Sequence, residues 1–168
     1  MLLLIAGCAS PGAVPTEMWI RTDPKGTAAP IAFETRTLHP RSKSVTLTVE
    51  SGARAKPPRI EAGEATVIYL YHYEPASAVS DDSASTTVVL AFDHVPQVPW
   101  RVELPAKGVE VLYFQERSLG GAVSGAAVRG WVEVTHVAER EVGLTMEVTI
   151  ETVPAGALVL GGRVAATR

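Results

Sequence analysis

Val142-Gly143-Leu144-Thr145-Met146-Glu147-Val148-Thr149-Ile150-Glu151 alternates apolar and polar residues without a break. Side chains of a strand point to opposite faces in turn. This period of two therefore predicts a half-buried β-strand with Val142, Leu144, Met146, Val148 and Ile150 toward a core. Just upstream, Val128, Val132 and Val134 alternate with Arg129, Glu133 and Thr135, and only Ala138-Glu139-Arg140 separates the two runs. That spacing predicts an antiparallel hairpin.

The same pattern recurs outward from this hairpin. Residues 44–50 set Val45, Leu47 and Val49 against Thr46, Thr48 and Glu50, and residues 65–73 are β-branched and aromatic throughout. Residues 31–38, 86–93, 99–104, 109–116 and 157–166 complete a series of about nine strands. Gly52 to Pro58, with its Pro57-Pro58 pair, reads as a breaker, since consecutive prolines cannot sit in a central ladder. Residues 74–85 and 95–99 read as loops. Gly120 to Ala127 carries too many glycines for a helix, and no stretch sustains a 3.6-residue period. The expectation is an all-β chain: a two-sheet antiparallel β-sandwich or a flattened β-barrel.

Composition narrows the class. The chain has 168 residues, 46% hydrophobic and 20% charged, with a formal net charge of −3. This length suits one domain with a proper core, and the mild charge argues against a nucleic-acid partner. There is no Asn, and only four lysines stand among the basic residues, a bias expected of a GC-rich genome. The single cysteine, Cys8, excludes an intramolecular disulfide, so the core alone must hold the fold.

The N-terminus reads as an address. Ile5-Ala6-Gly7-Cys8 resembles the lipobox of bacterial lipoproteins, in which small residues give an intramembrane peptidase access and the Cys thiol carries a diacylglycerol. The resemblance implies cleavage before Cys8, and acyl chains each contributing about 0.8 kcal/mol per buried CH₂ as a palmitate-type anchor. Residues 1–7 are then a signal-peptide remnant, shorter than a full leader and without a basic residue, as when the true start codon lies upstream. Residues 8–17, rich in Pro, Gly and Ala, form a flexible tether, and residues 18–168 form the β domain. Ala9 after the cysteine, where an inner-membrane signal has Asp, implies sorting to the outer membrane. Val128-Arg129-Gly130-Trp131-Val132-Glu133-Val134, Val142-Gly143-Leu144 and Gly161-Gly162-Arg163-Val164 together resemble the closing meander of small β-rich bacterial lipoproteins. Leu104-Pro105-Ala106-Lys107-Gly108-Val109-Glu110-Val111 is similar to a strand-turn-strand of transthyretin-like modules. Neither resemblance carries an active site to transfer.

Chemistry-bearing motifs are sparse. Ser124 in Gly121-Ala122-Val123-Ser124-Gly125 is out of register for a nucleophile elbow, and there is no phosphate loop or dinucleotide fingerprint, so no cofactor is expected. The histidines His39, His72, His94 and His136 lie in no metal-ligand spacing. A cross-strand meeting of His72, Asp93 and His94 is the one weak metal or acid-base candidate. His72 shares its face with Ile68 and Leu70, which favours a core or rim role. Asp81-Asp82 reads as a solvated acidic loop. Tyr69, Tyr71 and Tyr73 line one face of a strand, and with Trp100 or Trp131 they offer an aromatic platform for a sugar or peptide. Alternate aromatics are also favoured in any half-buried strand.

Three readings of function follow. The first is a non-enzymatic envelope lipoprotein, anchored through Cys8, that binds a protein, a glycan or a small ligand. The second is a purely structural or assembly-accessory module. The third is a tethered hydrolase with dispersed catalytic residues.

Overall fold

The computed structural model describes residues 16–23, 25–45, 58–78, 81–154 and 156–168. Cys8, residues 1–7 and the tether up to Pro15 lie outside them. So do residues 46–50 of an expected strand and the breaker up to Pro57. Among the described residues no helix is long and apolar enough to cross a membrane.

The described residues are all-β and form eleven strands: β1 Glu17–Arg21, β2 Ala29–Ile31, β3 Thr35–Val45, β4 Arg59–Ala62, β5 Ala65–Glu74, β6 Ala84–Phe92, β7 Trp100–Leu104, β8 Val109–Arg117, β9 Gly121–Ala138, β10 Glu141–Val153 and β11 Gly156–Thr167. Nine were expected. The additional ones, β1, β2 and β4, have five residues or fewer and carry too little alternation to read from sequence. Two further boundaries moved. β3 joins segments expected to be separate by running through His39-Pro40-Arg41, so His39 belongs to a strand and not to a loop. The pairing with β5 breaks register between His39 and Ser42, and Arg41 takes a positive φ of 52°. A bulge of this kind is where a strand tolerates a proline. β9 begins at Gly121, so the glycine-rich Gly121 to Ala127 stretch is strand.

The strands run β2-β1-β11-β10-β9-β8-β6-β5-β3-β4, with antiparallel neighbours throughout this path. The path curls back on itself: Thr167 at the end of β11 pairs with Thr37 of β3 in parallel. That single pair brings the two halves of the antiparallel sheet together at one edge. The β9–β10 hairpin is present, turning at Glu139-Arg140.

β9 makes the corner. Its first part pairs with β8 through Gly121 to Ala126, and its second part pairs with β7 through Gly130 to Val134. Between them the register against β10 shifts, leaving Val128 as an extra residue. Gly130 sits there at φ 121°, and a Cβ on it would overlap the Glu147 carbonyl. Only glycine fits this turn of the strand.

One apolar cluster fills the interior. Ile68, Leu70, Val88, Leu90 and Val111 of one wall meet Val132, Leu144, Met146, Val148 and Leu160 of the other, all buried. The five apolar residues of the 142–150 alternation all belong to it. Each such side chain contributes roughly 1.5–3 kcal/mol by leaving water. Tyr113 also points inward. Burial pushes its hydroxyl pKa up, while a hydrogen bond with Thr86 and the charge of Arg117 pull the other way.

Candidate functional site

The pleat sorts the candidate residues onto surfaces that sequence alone leaves mixed. On β5, Ile68 and Leu70 face the core, as expected. Tyr69, Tyr71 and Tyr73 therefore share the outer face, opposite Val89, Thr87 and Ser85 of β6. That face is closed over much of its area: Val67 and Val89 are 0% exposed and Phe114 2%, while Tyr73 at its end is 48% exposed. Trp100 does not join the tyrosines. It packs against the core cluster at the start of β7, with its ring 5.9 Å from Phe92 and 5.1 Å from His94.

Nor do His72, Asp93 and His94 meet. Thr66 pairs with Phe92 and His72 with Thr86, so His72 lies six residues along the strand from the Asp93 end, roughly 20 Å away. Asp93 Oδ1 is 2.6 Å from His94 Nδ1, beside a hollow of about 400 Å³ lined by Lys43, Phe92, Lys107, Gly108 and Glu110. His72 has its own partner. Its Nδ1 is 2.9 Å from Glu34 Oε1, and Glu34 Oε2 accepts the Tyr73 N–H at 3.1 Å. Desolvation pushes the Glu34 carboxyl up, but the N–H groups of Glu34 and Tyr73, with His72, outweigh it and hold the pKa below the usual range. His136 pairs with Glu141 at 3.6 Å. Among the described residues no group of three or more His, Cys, Asp or Glu could hold a metal ion.

Asp82 is more than a solvated loop residue. It accepts hydrogen bonds from Leu119 N–H (3.1 Å) and the Ser118 hydroxyl (3.1 Å), and its other oxygen faces Arg117 at 3.3 Å. These bonds clamp the β8–β9 turn. The Leu119 N–H, with help from Ser118 and Arg117, keeps the carboxyl pKa below its ordinary value against some desolvation.

A roomier recess than the Asp93 hollow lies elsewhere. A cleft of about 870 Å³ opens beside the β1–β2 hairpin, walled by Met18, Trp19, Pro30 and Ile31 and edged by His72, Thr145 and Arg163. Thr16, the first described residue, stands at its rim, and its hydroxyl accepts the Ala165 N–H at 3.4 Å.

The cleft opens onto the outer face of β1, β11, β10, β9 and β7, where cross-strand register builds three rows. The central row reads Trp19, Gly161, Glu147, Trp131, Glu103. On one side lie Glu17, Arg163, Thr145, Glu133 and Arg101, and on the other Arg21, Val159, Thr149 and Arg129. Trp19 lies flat on the sheet over Gly161, where any Cβ would run into its ring. The Arg101 guanidinium stacks 4.1 Å from the Trp131 ring centre and reaches Glu133 at 3.6 Å. Arg129 donates to Thr149 at 3.2 Å.

Trp19, Glu34 and Glu147 were not singled out from the sequence. A signal existed for this face: in Arg129-Gly130-Trp131-Val132-Glu133 the indole falls on the polar side of an alternating strand, where aromatics have no core to fill. Glu34 had none, because its partner is 38 residues away. Set against protein-family models, curated proteins and solved structures, the chain matches none, so its fold and its site rest on their own geometry.

Proposed function

We propose that this chain is a membrane-tethered binding domain of the bacterial envelope, acylated at Cys8, that takes its ligand in the cleft beside β1 and β2. The observation that carries the binding half is the cleft. About 870 Å³ falls within the roughly 300–1,000 Å³ typical of ligand sites, and its walls are apolar with a few polar groups at the edge. The lipobox-like Ile5-Ala6-Gly7-Cys8 supports the anchor. Thr16 at the cleft rim lies eight residues after Cys8, a reach of at most about 28 Å. The reading thus places the ligand close to the bilayer surface.

Two experiments test the two halves. Expressed from the full native gene, the protein should incorporate labelled palmitate and fractionate with membranes, and Cys8→Ser should do neither. Wild-type protein that stays in the cytosolic fraction removes the address. For the cleft, Ala32→Arg places a long cation at the exposed rim without touching the core. In a thermal-shift screen of acyl compounds, oligosaccharides and short peptides, a ligand at 100 times its Kd stabilises by about 2.7 kcal/mol. At least one class should raise the wild-type Tm and fail to do so in Ala32→Arg. If every class leaves the wild-type Tm unchanged, the cleft is not a ligand site.

A further inference from the structure

We infer that the outer face between Trp19 and Trp131 binds an extended neutral polysaccharide; this rests on the binding-domain reading and names the chemistry of its ligand. Two indoles stand in one row, three strand spacings apart, about 14 Å. Trp19 itself covers Gly161, so the floor left between the two rings is a single exposed carboxylate, Glu147. A chain of pyranose rings has the complementary form. Its flat, weakly polar C–H faces lie on aromatic rings, and its equatorial hydroxyls reach sideways for donors and acceptors.

The flanking rows supply those groups. Thr145 and Thr149 bracket Glu147 on β10, and arginine and glutamate alternate around them. The three rows hold four arginines and four glutamates, so the face carries no net charge. A polyanion would meet as much repulsion as attraction, whereas a neutral hydroxylated chain uses both signs as hydrogen-bond partners. The Arg101 guanidinium lies over Trp131 at 4.1 Å and the Arg21 guanidinium over Trp19 at 5.6 Å, so a sugar ring stacks on either indole by displacing an arginine, which then serves as a hydrogen-bond donor to its hydroxyls. The face is continuous with the cleft, which shares Trp19, Thr145 and Arg163.

The test is affinity electrophoresis of the full chain in native gels cast with hydroxyethylcellulose, xyloglucan, galactomannan or a β-1,3-glucan, and with alginate and hyaluronan as polyanions. At least one neutral gel should retard the protein, and neither polyanion should. Trp19→Ala and Trp131→Ala should each weaken retention about tenfold or more. Because Trp19 covers Gly161, near-UV circular dichroism and Tm must show each variant folded. Glu147→Ala, an exposed change, gives an independent reading and should weaken retention several-fold. Retention that ignores all three substitutions, or that is equal on the polyanions, overturns the inference. So does a peptide-display selection whose hits need Trp131 while no neutral glycan is retained, which reassigns the face to a protein partner. If the neutral glycans fail but another ligand shifts Tm in an Ala32→Arg-sensitive way, this inference falls and the cleft reading stands. If both fail, the binding reading falls too.

Discussion

The tyrosine face of β5 and the tryptophan face of β1, β11, β10 and β9 are both outer surfaces of one curled sheet, yet they are built by opposite rules. Around Tyr69 and Tyr71 the outward positions toward β6 and β8 are closed, with Val67, Val89, Thr87 and Phe114 almost wholly buried, while Thr35 and Thr37 of β3 line the other side. Around Trp19 and Trp131 the outward positions other than Val159 and Gly161 are charged or hydroxylated, and most of these keep contact with water. The difference teaches that pleat and exposure are separate properties. Alternation says which side of a strand a residue is on; only the neighbouring strands decide whether that side is wet.

The sharpest way to break this comparison is to place a charge on each face. Val89→Asp should cost about 3 kcal/mol or more in urea unfolding, because a carboxylate would be buried on the outer side with no partner. Thr145→Asp on the tryptophan face should stay within about 0.5 kcal/mol. Equal costs at the two sites would erase the distinction.

The corner that separates the two faces comes next. Gly130→Ala forces a side chain onto φ 121° and into the Glu147 carbonyl, for an expected loss of about 3 kcal/mol. A smaller effect is expected at Gly161→Ala, about 1–2 kcal/mol, because there the obstacle is a ring that can swing away. That swing should change the near-UV tryptophan signal and weaken glycan retention together. Gly161→Ala with unaltered tryptophan spectra would mean that Trp19 does not rest on the sheet.

How much of this was legible beforehand depends on the range of the interaction. The β9–β10 hairpin and the inward set from Val142 to Ile150 were legible, because period-two patterning and a short turn are local. Ile68 and Leu70 were legible for the same reason. β1, β2 and β4 were not, since strands of three to five residues are stabilised by pairing and not by their own pattern. The merging of two segments into β3 was hidden by Pro40, which a bulge accommodates. At the candidate site, the tyrosine strip was legible as a strip. Its separation from Trp100, and the row joining Trp19 to Trp131, depend on the registers of β1, β11, β10 and β9, which residue spacing does not encode.

The gentlest test uses pH, at two carboxylates that tie loops to strands away from the tryptophan rows. Glu34 and Asp82 both titrate lower in the folded chain than their ordinary values of 4.5 and 3.8. A depressed acid stabilises the fold while it is ionised in both states, above its unfolded pKa, and that contribution is lost as pH falls through the folded one. The Tm of the wild-type protein should therefore decline below the ordinary carboxylate range. Asp82→Asn, which cannot take a charge, should melt lower than wild type at pH 6, with the gap narrowing toward pH 3. Glu34→Gln should behave alike but more weakly, since amide and carboxylate can both accept the Tyr73 N–H. A gap that stays constant with pH would assign both residues a packing role, and the clamp on the β8–β9 turn would then owe nothing to charge.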